Sequence, residues 1–384
     1  MNSIELLFGG DFAPNERYIS LIKSKKRSIF GSAEELLRSA DLAICNLEAP
    51  ICKGYVPILK SGPSMRSDIL AIDALVGANI GAVSLANNHI FDYGSPGLSS
   101  TMSLLDQRQI AHVGAGLNRE EAELPLRLVV KGKNVSLISA AEKEFNVDEG
   151  QCAGAAILDP IQTSLIVRKE KETADAVIVY FHGGNEFFPF PRPGLRRMCQ
   201  FFIEMGADAV IGHHSHVPGG YEIFNGRPIV YGLGNLIFDH VRPPPGWNEG
   251  YFAKVILNFD NDERLRAELE IVPYTQSVGA GGLNLLTGQE RLSFIARIEA
   301  MRDELENLPQ KWLAHWHEFV SERQVPMLLN LISPIRFPGL RRLLRLKFLR
   351  KLLFPESRRL NRLNLLRCDS HREVIIDALS RQLN

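Results

Sequence analysis

Gly212-His213-His214-Ser215-His216 sets three imidazoles within four residues, directly behind the apolar run Ala209-Val210-Ile211. In an extended segment alternate side chains share a face, so His214 and His216 can address one ion while His213 turns away. A polar surface turn with incidental histidines would read the same, and the rest of the chain decides between the two. Four further apolar runs end in groups that bind cations or move protons. Residues 4–8 run into Gly9-Gly10-Asp11, residues 42–45 into Asn46-Leu47-Glu48, residues 82–85 into Asn87-Asn88-His89 with Asp92 beyond, and residues 177–181 into His182 with Glu186 close behind. Acids and amides favour turns in general, which accounts for any one of these exits but poorly for five that all supply nitrogen or oxygen ligands. Imidazole, carboxylate and amide donors without thiolate suit Mn, Fe or Zn rather than a thiolate-held structural zinc. One composite site for one or two divalent ions is the expectation.

The elements that must position these groups alternate. Helical stretches near residues 33–39, 69–76, 98–108 and 195–205 separate the strand-like runs, which implies an α/β architecture with its ligands at the carboxyl ends of the strands. Residues 126–130 and 135–139 read as scaffold strands, and His112 beside Val113 reads as structural. Beyond the histidine cluster, Asn225-Gly226 is a hairpin turn. The run 229–231 then leads to Gly232-Leu233-Gly234-Asn235, with strands at 252–259 and 267–272. From about residue 277 the pattern turns helical: Leu292, Ile295, Ile298 and Leu305, then Trp312, Trp316 and Phe319, with Pro309 separating two helices. His315 and His317 belong to that piece and read as structural or solvated. The expected division is a domain over 1–275 and a helical, basic extension over 276–384.

Composition narrows the partners. The 384 residues are 45% hydrophobic and 23% charged with zero formal net charge, which fits an ordinary globular protein and argues against nucleic acid as a partner. The balance hides a split: residues 333–384 hold 13 Lys/Arg against 4 Asp/Glu and carry +9, leaving −9 on the rest. Membrane association is expected to be peripheral at most, through the basic stretch 336–367. Five cysteines without short paired spacing fit a reducing compartment, and neither a basic-then-apolar leader nor an 18-residue apolar run is visible. The expected location is the cytoplasm or the inner membrane face.

Taken in order, Gly10-Asp11, Asn46-Leu47-Glu48, Ala86-Asn87-Asn88-His89 with Asp92 and Gly94, His182-Gly183 with Glu186, Gly212-His213-His214-Ser215-His216-Val217 and Tyr231-Gly232-Leu233-Gly234-Asn235 resemble the CapA family of capsule and poly-γ-glutamate biosynthesis proteins, a branch of the calcineurin-like metallophosphoesterases. The resemblance covers roughly residues 4–272. It implies a two-sheet sandwich flanked by helices, with a dinuclear metal site on the strand-end loops. On the matching positions it implies that Asp11 and His216 hold one ion, that Asn88, His182 and His214 hold the other, and that Glu48 bridges them. His89 with Asp92 would form the catalytic pair, His89 being the general acid. Asn87, Glu186, His213 and Asn235 would contact substrate or support the ligands. Ala13 stands where metallophosphatases generally carry the histidine of an Asp-x-His opening, so the first ion has one ligand fewer. The implied activity is hydrolysis of a phosphoester, either a phosphorylated small molecule or an envelope-polymer precursor, by a metal-activated water, alongside capsule or polyglutamate synthesis proteins. The alternative is a non-hydrolytic, metal-binding accessory protein of such a synthesis complex.

Overall fold

The structure is a computed structural model that describes residues 2–24, 28–148, 150, 152–259, 265–331 and 355–381. Its first part separates successive strands by helices: β1 (Asn2–Phe12), α1 (Glu16–Ser24), α2 (Glu34–Ser39), β2 (Leu42–Leu47), α3 (Leu70–Gly77), β3 (Ile80–Ser84), α4 (Gly94–Gln107) and β4 (Ala111–Val113). Helical crossovers force the strands into parallel pairing, and β1 to β4 are neighbours in that order. A second set follows, comprising β5 (Ala115–Gly116), α5 (Arg119–Ala122), β6 (Leu126–Val130), β7 (Lys133–Ala141), β8 (Gly154–Ala155), α6 (Pro160–Lys171), β9 (Ala176–His182), α7 (Pro193–Glu204), β10 (Ala209–His213), β11 (Tyr221–Phe224) and β12 (Arg227–Val230). Apart from the small pair β5–β8, these strands make a six-stranded sheet in the order β11-β12-β10-β9-β7-β6. The chain then returns to the first sheet through β13 (Asn235–Ile237), β14 (Glu249–Phe259), β15 (Leu265–Ser277) and β16 (Gly282–Leu285). That sheet reads β16-β15-β14-β1-β2-β3-β4, with β13 joined to the far end of β1.

The expected two-sheet α/β sandwich flanked by helices is what forms. Ile4, Leu6 and Phe8 of β1 face Ile178, Tyr180 and Ile211 of the other sheet in one cluster, while Leu7 and Phe12 point outward to Tyr18 and Leu75. On β9 the parity is the same, for Val177, Val179 and Phe181 meet Leu195, Cys199 and Phe202 of α7. Strands covered on both faces need unbroken apolar runs, which is why these segments do not alternate with polar residues. One glycine is demanded by close approach: a Cβ on Gly10 would stand 1.8 Å from the Gly234 carbonyl oxygen. Without it β13 could not pair with β1, and Asn235 would not lie opposite Asp11.

The division expected at residue 275 falls inside β15, and β16 carries the first sheet on to Leu285. Among the described residues, four helices follow: α8 (Gly288–Glu306), α9 (Pro309–Leu331), α10 (Glu356–Arg367) and α11 (Asp369–Arg381). Phe294 and Ile298 of α8 join the core between the sheets, and Trp312, Trp316, Phe319 and Val320 of α9 cover the outer face of the second sheet together with Val374 and Ala378 of α11. These helices bury apolar surface that the sheets would otherwise expose. Of the basic stretch expected over 336–367, residues up to 354 lie outside the described ones. Among the described residues, no helix is long and apolar enough to cross a membrane.

α11 is also tied down by charge. Arg192, at the start of α7, is 3% exposed and bonds Glu142 at 2.7 Å and Glu373 of α11 at 2.9 Å. Glu142 further accepts from the backbone N–H groups of Gly184 at 2.9 Å and Ser370 at 3.2 Å. Burial pushes the Glu142 carboxyl up, but Arg192, then His214 and the Gly184 N–H, bring it below the usual range. Removing one partner of such a pair strands the other's charge in the interior. Arg192→Ala should therefore cost about 3–5 kcal/mol in urea unfolding. Lys53→Ala, which breaks a 3.9 Å pair with Asp68 whose two side chains both reach solvent, should cost under about 1 kcal/mol.

Candidate metal centre

The five strand exits converge at one end of the sandwich. Asp11, near the end of β1, is fully buried and collects partners from both sheets. Its Oδ1 accepts from Asn46 Nδ2 at 2.8 Å and faces His213 Nδ1 at 2.9 Å. Its Oδ2 accepts from the His214 backbone N–H at 3.1 Å and stands 3.6 Å from His216 Nδ1. From the end of β9, His182 places Nδ1 at 3.0 Å from His213 Nδ1 and 3.7 Å from Asp11 Oδ1, and Nε2 at 3.0 Å from Asn88 Oδ1. Among the described residues, two groups each offer ligand atoms that all lie within 4.8 Å of one another: Asp11, His182 and His213, and Asp11, Glu48 and His216.

The expectation that His213 turns away fails. β10 ends at His213, and His214 and His216 take positive φ values of 96° and 59°, so the alternation of an extended strand stops there. All three imidazoles stay at the site. The His214 ring lies 4.3 Å from that of His182 and 5.8 Å from that of His216. Positive φ on a bulky residue is costly, and it persists where surrounding contacts hold it, as the Asp11 bond to the His214 N–H does here.

The charges in this cluster are unequal. Burial pushes the Asp11 carboxyl up, yet the His213 hydrogen bond, the neighbouring imidazoles and Asn46 bring it down to about 2. Glu48, just past β2, receives no such help. It is completely buried, and among the described residues neither of its carboxylate oxygens has a hydrogen-bond partner. Burial, then the charges of Asp11, Glu186 and Asp92, drive its carboxyl well above the usual range. Burial likewise lowers the imidazoles, His214 to about 4 and His182 well below its ordinary value, with neighbouring histidines adding to the effect. Neutral imidazoles present lone pairs, and a buried carboxylate with two unpartnered oxygens requires a positive charge or a proton. The residues present therefore fit a divalent cation held between Asp11, Glu48 and the histidines.

The remaining expected residues surround this centre. His89 Nδ1 bonds Asp92 Oδ2 at 2.8 Å, and the His89 backbone N–H donates to Asn87 Oδ1 at 3.1 Å. Asn87 Nδ2 in turn donates to Asn46 Oδ1 at 3.0 Å and the Leu47 carbonyl at 2.9 Å. Asn235 Oδ1 lies 2.9 Å from His216 Nδ1, while its Nδ2 is committed to the His216 and Trp247 carbonyls. Glu186 lines a cavity with Asn88, His89 and His214. His112 pairs with Asp106 at 3.2 Å and His315 with Glu304 at 3.0 Å, both apart from the centre.

Sequence reasoning passed over Lys60, whose Nζ bonds Asp92 Oδ1 and lies 3.3 Å from His89 Nδ1. It comes from the loop between β2 and α3, where neither periodicity nor motif marks it. Asn46 was visible only as part of its tripeptide, and Glu144, which accepts from Asn88 Nδ2 at 3.4 Å, carried no signal.

Two sheets with helices on both outer faces, and a histidine–carboxylate cluster where the strands end, define an α/β sandwich with a candidate metal centre at one end. The chain belongs to the bacterial capsule synthesis protein family PGA_cap, whose model matches residues 5–240. It is 28% identical over 239 residues to the PGA biosynthesis protein CapA of Bacillus subtilis, covering 60% of this chain and 61% of that one. It is 25% identical over 262 residues to the capsule biosynthesis protein CapA of Bacillus anthracis, covering 66% and 62%. The match thus spans about three fifths of the length of these relatives. Among solved structures it is similar to a novel phosphatase of Mycoplasma pneumoniae, with 15% identity, a TM-score of 0.45, and coverage of 76% of this chain and 97% of that one.

Glu48 makes the cation requirement testable without activity. Its folded pKa lies above its unfolded value, so its contribution favours the folded state at low pH and is lost as pH rises through the folded pKa. At neutral pH Glu48 therefore destabilises the metal-free protein, as a buried charge or as a site holding a proton that the unfolded chain releases. Glu48→Gln should raise the melting temperature of the metal-free protein at pH 7 by a few degrees and abolish most of the further rise produced by Mn²⁺. Unchanged metal stabilisation in that variant would remove Glu48 from the ligand set.

Proposed function

We propose that the protein is a metal-dependent phosphoesterase serving capsule or poly-γ-glutamate biosynthesis. The observation that carries this reading is the buried, unpartnered Glu48 carboxylate between Asp11 and the imidazoles, with the His89–Asp92 pair beside it. Asp11 and His216 would hold one ion and Asn88, His182 and His214 the other, with Glu48 between them. His213, whose Nδ1 faces both Asp11 and His182, would hold the first of these in place or share in ligation. When bound, such ions supply Lewis-acid stabilisation of a phosphoryl oxygen and lower the pKa of a water molecule.

The chain's own residues do the rest. Asp92 fixes the His89 ring through Nδ1, so that Nε2 is the nitrogen left to give a proton to the leaving-group oxygen. Burial lowers the His89 pKa, while the Asp92 hydrogen bond opposes that shift and keeps protonation within reach. Lys60 and the Met65 backbone N–H, the latter at 2.6 Å, hold Asp92 in place. Asn87 anchors the His89 backbone and Asn235 orients His216.

A second reading, a metal-binding accessory protein without hydrolytic activity, is favoured by Ala13. This residue is 3% exposed and two positions beyond Asp11, and it offers no ligand where a histidine would complete the first ion's shell. One experiment separates the two readings. With Mn²⁺ restored, the wild type should hydrolyse at least one member of a phosphoester panel, and His89→Asn should lower that turnover about 10²-fold or more while metal content by mass spectrometry stays near wild type. Failure of the metal-replete wild type on every ester would leave the accessory reading standing.

A further inference from the structure

A cavity of about 320 Å³ lies over the centre, lined by Asn88, His89 and His214 and, from the C-terminal helices, by Phe319 of α9, Asn364 of α10 and His371 of α11. Glu144, on the loop after β7, lines the same cavity and touches both groups of residues. Its Oε1 accepts from Asn88 Nδ2 at 3.4 Å, and the Asn364 side chain hydrogen-bonds its carboxylate. Asn364 lies well beyond residue 240, where the family match ends.

The loop that carries Glu144 holds Asn88 at two points. Asn146 is fully buried; its Oδ1 accepts from the Glu144 backbone N–H at 3.0 Å, and its Nδ2 donates to the Asn87 carbonyl at 3.2 Å and the Glu142 carbonyl at 3.1 Å. The Asn87 carbonyl belongs to the peptide that leads into Asn88, so the backbone is fixed there. Glu144 meets the side chain of the same residue.

That second contact decides what the backbone leaves open. An amide ligates a cation through its oxygen, and its nitrogen end presents only hydrogens. In the metal-free chain two contacts agree on the orientation: Asn88 Oδ1 faces His182 Nε2 at 3.0 Å, and Nδ2 faces Glu144. The first of these needs a proton on His182 Nε2, and an imidazole gives up the proton on the nitrogen through which it ligates. With an ion between Asn88 and His182 that donor would be gone. Among the described residues, Glu144 is then the one side chain left to say which end of the Asn88 amide faces the ion. Groups that orient ligands in this way typically change metal affinity about 10–100-fold. At 3.4 Å the contact is longer than the usual N–H···O range, which places the effect near the lower end.

We propose that Glu144 is a positioning residue of the metal centre: held by Asn364 of α10, it accepts from Asn88 Nδ2 and keeps the Asn88 oxygen turned to the ion. The inference rests on the reading above that makes Asn88 a ligand, and it adds that a helix outside the family-matched segment supports that ligand.

Titration of the full-length, metal-free protein with Mn²⁺, the free ion being counted by electron paramagnetic resonance, tests this without a substrate. Glu144→Ala should weaken binding about tenfold, and Asn88→Ala at least as much. In the double variant the Glu144 change should cost at most about twofold more, because its effect runs through an amide that is no longer there. Glu144→Gln, which keeps the length and an accepting oxygen, should recover most of the affinity that Glu144→Ala loses. Should the alanine variant not fold, Glu144→Leu fills the same space without an acceptor and runs the same cycle. Losses that multiply in the double variant overturn the proposal, as do wild-type affinity in Glu144→Ala or Asn88→Ala, or a Glu144→Gln as weak as the alanine variant. A wild type that takes up no Mn²⁺ sinks the metal-dependent reading and the proposal together, whereas Mn²⁺ uptake with multiplying losses sinks the proposal alone.

Discussion

The Asp11 carboxylate is the fixed point of this molecule. It sits on the central strand of one sheet and takes hydrogen bonds from Asn46 on its own sheet and from His213 and the His214 N–H on the other, so a single buried charge joins the two sheets at the end where they open. Its neighbour Glu48 is equally buried and has no comparable donors. Two carboxylates a few ångströms apart cannot both be ionised cheaply, and here the protein has given all the stabilising contacts to one of them. The asymmetry costs stability in the metal-free chain. Such a cost is what a binding site accumulates when its residues are arranged for a charge that arrives later.

The backbone makes that arrangement feasible. Parallel strands deliver their carboxyl ends to one side, β1, β2 and β3 supplying carboxylates and amides and β9 and β10 supplying imidazoles. The candidate cluster draws residues from both sheets. The approach of β13 to β1 across Gly10, and the positive φ values at His214 and His216, are local exceptions to regular strand geometry, and both lie at the site. Strain of that kind is tolerated because Asp11, Asn235 and the β10 register over-determine the loop.

Much of this was legible in the residues. Runs such as 177–181 state that a strand is buried on both faces, and an acid, amide or histidine after each run states where the ligands gather. The orientation of His213 was not legible, because alternation predicts side-chain direction only while the chain stays extended, and it leaves that state at His214. Lys60 was invisible for another reason: a loop cation is indistinguishable from a solvated one until the partner that buries it, Asp92, is placed in space. The helices after residue 285 read correctly as helices, yet their spacing could not say that they cover the second sheet, since an amphipathic stripe names no partner.

That last point bears on what kind of specificity the molecule has. The ion pairs of Arg192 with Glu142 and Glu373 bind α11 to the loops after β7 and β9, and those loops carry Glu144 and Asn185 while His182 ends β9 itself. The wall of the cavity and the imidazole side of the centre are therefore held in one register by one buried charge network. The centre itself is built from residues before 240 and the facing wall from residues after 318, so the two can change independently in sequence while staying coupled in space. The first segment sets the donors and charges at the centre, whereas the second sets the shape of the space that faces them.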